Sequence, residues 1–151
     1  MATAQLSGYL ASEQTGLSTE LNSLADNGWS ALGTEVDNSS TKYMMADVEI
    51  YLGSAAFTGT DSTVEIYLVC TVDGTNYPTW TTGTSDEQEN NAYYVGSITT
   101  TGTTAAQREV LRSVALPNGR FKWAVRNRSG VAFTSTNANT LKWRPWSYAS
   151  N

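Results

Sequence analysis

Histidine is absent from this chain of 151 residues. Its absence excludes the Ser-His-Asp and Cys-His systems, the HExxH zinc helix and any histidine general base, leaving carboxylates, Lys, Tyr and Cys to do chemistry. Among the carboxylates, Val48-Glu49-Ile50-Tyr51-Leu52 recurs letter for letter as Val64-Glu65-Ile66-Tyr67-Leu68. Glu49 and Glu65 would make a glycosidase-type acid pair if their strands held them about 5 to 9 Å apart. Glu alternating with Tyr is also the ordinary wet face of a strand, and nothing nearby in sequence would raise one pKa over the other. The acidic loop 84–91 gathers Asp86, Glu87, Glu89, Asn90 and Asn91. These are oxygen ligands suited to a hard cation such as calcium, but without EF-hand spacing, and a solvated loop is the simpler reading. Cys70, the single cysteine, has no basic neighbour in sequence and reads as a small core residue. The sequence therefore assigns no catalytic residue, no metal ligand and no cofactor, and reads as a protein that is not an enzyme.

Charge is segregated along the chain. Residues 1–107 hold 13 of the 14 acids and one base, Lys42, whereas residues 108–151 hold eight bases and Glu109; the halves carry −12 and +7, summing to the net −5. Arg120, Lys122, Arg126 and Arg128, with Lys142 and Arg144, form a basic ridge that invites a nucleic-acid reading. Trp123 and Trp143 alternate with those charges, however, so they should face the core and not stack on bases. An acidic chain also repels a polyanion. The ridge is better suited to meeting acidic surface, of this chain or of a neighbouring copy. Trp80 and Tyr77, beside Pro78, are candidates for an exposed aromatic platform that stacks on sugar or anchors a protein interface, or else they cover one end of the core.

These residues must be carried by strands. Thr (22), Ser (16), Gly (12) and Asn (11) dominate, with three prolines, which is the composition of short strands and polar turns. Period-two segments start at Trp29–Val36 and Tyr43–Leu52, continue at 64–72, 92–101 and 108–116, and end at Arg120–Arg126 and 141–144. Asp73-Gly74 and Pro117-Asn118-Gly119 mark sharp turns. The expected fold is an all-β antiparallel sandwich, jelly-roll-like, of seven to nine short strands. The two copies of the pentapeptide are expected to pair as a hairpin. Residues 1–16 are weakly patterned and read as an N-terminal arm that orders on binding, with Leu6, Tyr9 and Leu10 as its candidate contacts; residues 17–151 form one domain. No apolar run reaches the length of a membrane span, and residues 1–16 have neither the basic start nor the apolar centre of a secretory signal. Synthesis in a reducing cytoplasm is expected, and the sequons at Asn38 and Asn127 then carry no meaning.

Several motifs taken in order resemble those of a family of small β-sandwich proteins of tailed phages and prophages. They are Val64-Glu65-Ile66-Tyr67-Leu68-Val69, Thr71-Val72-Asp73-Gly74-Thr75-Asn76-Tyr77-Pro78 and Ala106-Gln107-Arg108-Glu109-Val110-Leu111-Arg112, then Leu116-Pro117-Asn118-Gly119-Arg120-Phe121-Lys122 and Asn139-Thr140-Leu141-Lys142-Trp143-Arg144-Pro145. The resemblance covers most of residues 40–146. It implies a virion structural protein of the head-decoration or capsid-cement kind, made in the host cytoplasm and placed on the outer capsid surface. Its implied partners are the major capsid protein and other copies of itself, as a homotrimer, with neither nucleic acid nor membrane. The basic residues and the arm would then serve the capsid or protomer interface. A surface carbohydrate-binding module and a tail or connector ring component remain as alternatives.

Overall fold

The computed structural model describes residues 5–6, 8–55, 57, 62–84, 86–136 and 138–149. Ten strands are present among them: β1 (Gln5–Leu6), β2 (Gln14–Leu17), β3 (Val36–Asp37), β4 (Met45–Leu52), β5 (Thr63–Cys70), β6 (Tyr93–Thr99), β7 (Gln107–Ala115), β8 (Arg120–Arg128), β9 (Thr140–Trp146) and β10 (Tyr148–Ala149). Eight of them form two four-stranded sheets, β2-β9-β4-β7 and β3-β8-β5-β6, and every pairing is antiparallel. From β2 to β9 the chain changes sheet at each connection except the one from β5 to β6. This interleaving of two Greek keys is the jelly-roll order, as the period-two pattern led one to expect.

Alternation dictates what lies between the sheets. Val48, Ile50 and Leu52 of β4 face Val64, Ile66 and Leu68 of β5 across the core, joined by Phe121, Trp123 and Val125 of β8, Leu141 and Trp143 of β9, and Leu17 of β2. Phe121, Trp123 and Trp143 meet edge to face or tilted, with centroids 5.7 to 6.2 Å apart. Burying each such ring stabilises the fold by about 2 to 3 kcal/mol. The repeated pentapeptide thus supplies two strands of opposite sheets, not a hairpin. β4 pairs with β7 and β9, and β5 with β6 and β8.

A second, smaller apolar cluster covers the outer face of the β3-β8-β5-β6 sheet. Trp29, Tyr67, Val69 and Ala124 pack there under Leu32, Tyr77, Trp80 and Ala92. The segment expected as a strand over 29–36 is mostly irregular: Trp29 makes isolated bridges to Gly83 and Arg126, and regular pairing begins only at Val36. Pro145 lies inside β9 opposite Ala46, so the proline does not end that strand. The arm drawn at 1–16 is also shorter than expected. Gln14–Leu17 is an edge strand on β9, and Leu17 is in the core. Before it, the Leu10 N–H donates to the Pro145 carbonyl at 3.0 Å, and β1 pairs with β10.

Candidate functional site

Glu49 and Glu65 lie on opposite outer faces of the sandwich. Glu49 accepts from Arg108 at 3.0 Å, and Glu65 accepts from the Tyr67 hydroxyl at 3.0 Å and forms an ion pair with Arg128 at 3.1 Å. Two packed sheets stand about 10 Å apart and these side chains point away from each other, so the separation exceeds that of an acid pair. In the acidic loop, Glu89 is drawn onto Arg126 and Arg128, and the Asn91 side-chain amide donates to the Thr79 carbonyl. The Asp86 and Glu87 side chains lie outside the described residues, and no group of three metal-ligating side chains occurs among those described. Cys70 is half-buried against the core, and burial pushes its thiol pKa up, the opposite of what a nucleophile needs.

The basic ridge is split between two faces. Arg120, Lys122, Arg126 and Arg128 lie on β8, on the outside of one sheet, whereas Lys142 and Arg144 lie on β9, on the outside of the other. Each is engaged within the chain. Arg120 pairs with Glu35 and Asp37, both at 3.2 Å. Lys122 sits 4.5 Å from the Tyr77 ring centroid. Arg126, buried and not on an open ridge, lies over the Trp29 ring and pairs with Glu89. Lys142 reaches Glu13 at 2.7 Å, and Arg144 stacks on Tyr9 and donates to the Ala11 carbonyl. Of the arm residues, Tyr9 and Leu10 are about half-exposed on this face, and the Leu6 side chain lies outside the described residues.

Trp80 and Tyr77 are half-buried and do not form an open platform. The Trp80 indole N–H donates to the Ser30 carbonyl at 2.9 Å, and its ring meets Trp29 edge to face. Tyr77 donates to Glu35 and its ring is covered by Lys122; burial and the neighbouring carboxylate push its pKa up.

The outer face of the β2-β9-β4-β7 sheet holds a cleft of 220 Å³ lined by Asp47, Glu49, Arg112 and Lys142 among others. Asp47 lies opposite a bulge in β7, where Ser113 has φ +59°, and accepts from the Ser113 N–H, the Tyr9 hydroxyl, the Trp146 indole and Arg112. Burial alone would raise its pKa. These donors outweigh burial and hold the carboxyl below its ordinary value.

A different surface went unnoticed in the sequence. At one end of the sandwich an apolar cleft of 580 Å³ opens between the sheets, lined by Leu68, Cys70, Pro78, Ala92, Tyr93 and Leu116 among others. Val72 is fully exposed beside it, and Tyr93 and Tyr94 are 65 % and 52 % exposed at the start of β6. The signal that could have revealed it is the run from Ala92 to Gln107, which contains no charged residue.

No protein-family model and no curated protein sequence matches the chain. Among solved structures, TmCBM61 in complex with β-1,4-galactotriose is similar at 12 % identity with a TM-score of 0.31, over 78 % of this chain and 60 % of that one. This chain therefore spans under two-thirds of that structure's length. A structure of a CBM4 module is similar at 13 % identity with a TM-score of 0.31, over 86 % of this chain and 79 % of that one. Both likenesses are too distant to say anything of function.

Proposed function

We propose that the protein is a structural component of a tailed-phage virion, a head-decoration protein that binds the assembled shell from outside and ties neighbouring capsomers together. One observation supports this reading. The charged side chains of the basic third are spent on contacts within the chain, while accessible apolar surface gathers at the end of the sandwich around the 580 Å³ cleft. A rigid body with uncharged apolar surface suits contact with a protein lattice, where many weak contacts add through multivalency. The partner is the major capsid protein, and neither nucleic acid nor membrane is required. Cosedimentation with emptied capsids tests it. Saturable binding at hundreds of copies per particle is expected, weakened by Val72→Glu and Tyr93→Glu, both exposed at the cleft. A chain that stays in the supernatant, or saturates at a single ring's worth of copies, would sink the proposal.

A further inference from the structure

In an Asn-Gly pair the asparagine side chain is open to attack by the main chain, because the glycine has no Cβ to hinder the approach of its own nitrogen. The pair occurs twice in this chain, at Asn27-Gly28 and Asn118-Gly119, in two different settings. At the first, the reacting groups are held. Asn27 has φ +59° and its side-chain amide donates to Asp26 at 2.8 Å, while the N–H of the buried Gly28 donates to the Ala25 carbonyl at 3.0 Å. At the second, nothing holds them. Asn118 is exposed in the turn between β7 and β8, and among the described residues neither its side chain nor the Gly119 N–H has a hydrogen-bond partner. A Cβ on Gly119 would meet nothing within 4 Å, so the space around the reacting peptide is open.

We propose that Asn118 is a site of spontaneous modification, converting through a cyclic imide to aspartate and isoaspartate and loosening its turn, while Asn27 stays intact. The Gly119 nitrogen, after losing its proton to hydroxide, bonds to Asn118 Cγ; the Cγ–Nδ2 bond breaks and ammonia leaves with a proton taken from water. Water then opens the ring. Attack at the side-chain carbonyl restores the main chain as aspartate, whereas attack at the main-chain carbonyl leaves isoaspartate, whose main chain is one carbon longer. Either product places a new carboxylate two residues from Arg120, which already pairs with Glu35 and Asp37. Isoaspartate does more. The buried Asn38 spans this turn, its side-chain amide donating to the Pro117 carbonyl at 2.8 Å and its N–H to the Gly119 carbonyl at 3.0 Å. An extra carbon between those two carbonyls pulls against both bonds, whose strength depends on their present distance and angle. Leu116 and Pro117, just before the site, line the 580 Å³ cleft, so the change falls at that end of the sandwich.

Peptide mapping by mass spectrometry tests the proposal on the whole folded chain incubated at mildly alkaline pH, with the urea-unfolded chain as reference. The Asn118 amide should be lost, isoaspartate should accumulate beside aspartate, and the rate should rise with pH as the attacking nitrogen deprotonates. Asn27 should convert about tenfold more slowly in the folded chain, since its two hydrogen bonds must open first, and the difference should vanish on unfolding. Gly119→Ala, whose added methyl has room, should keep the Asn118 amide over the same period. Amide exchange at Asn38 should quicken in the isoaspartate form and stay slow in the incubated Gly119→Ala chain. An Asn118 amide that survives in the folded chain while the unfolded chain converts, equal rates at the two folded sites, or an isoaspartate form in which Asn38 exchanges as slowly as before would overturn it. The assay uses no capsid, so its failure and the failure of the virion proposal are separately visible.

Discussion

Asp47 shows how a residue that reads as a solvated strand position becomes a fixed point of the fold. Alternation places it on the wet face of β4, and the β7 bulge then turns the Ser113 N–H toward it. A carboxylate whose folded pKa is depressed contributes stability that is complete above its ordinary value, 3.8 here, and is lost as pH falls through the lower folded value. Chemical denaturation should therefore show stability falling below about pH 4, with part of that fall removed in Asp47→Asn. The same variant should cost about 2 kcal/mol at neutral pH, since it weakens charge-assisted hydrogen bonds. The buried asparagines carry a related lesson. Asn38 and Asn127 read as turn residues and sequons, but both are fully buried. Asn38 donates to the Tyr43 and Pro117 carbonyls, and Asn127 to those of Leu24, Ala25 and Val131. Sequence places Asn in a turn through its local preference; which distant carbonyls it ties is set by packing.

At the scale of elements, the faces of the strands were legible and their partners were not. Val48, Ile50 and Leu52 point inward as the alternation requires, as do Val64, Ile66 and Leu68. Alternation carries no information on which strand lies alongside, and two strands sharing an identical pentapeptide proved to belong to opposite sheets. The short edges were hidden for another reason: β2 is too brief and too rich in small residues to show a period. Gly16 is required there, because a Cβ would lie 2.6 Å from the Trp123 ring, and a Cβ on Gly33 would meet the Gly16 carbonyl. This close packing makes β2 part of the domain and separates it from the segment before it. Removing residues 1–13 deletes the Glu13–Lys142 pair, the Tyr9 hydroxyl bond to Asp47 and the pairing of β1 with β10, and should cost about 2 kcal/mol. Removing residues 1–17 also deletes the buried Leu17 and uncovers β9; a loss of about 3 kcal/mol or more, with aggregation, is expected in thermal melts.

For the whole molecule, the split of −12 and +7 along the sequence is a consequence of the jelly-roll order. The basic strands β7, β8 and β9 are inserted between or beside the acidic strands β4 and β5, so charges far apart in sequence become neighbours in space. Arg108, Arg112, Arg120, Arg126, Arg128 and Lys142 each pair with an acid from the first 107 residues, while Lys122 and Arg144 lie over Tyr77 and Tyr9. The basic third of the sequence is thus paired with acidic and aromatic side chains of the same chain. Most of the pairs are exposed and contribute about 0 to 1 kcal/mol each, so raising salt to about 1 M should lower the unfolding free energy by a few kcal/mol at most.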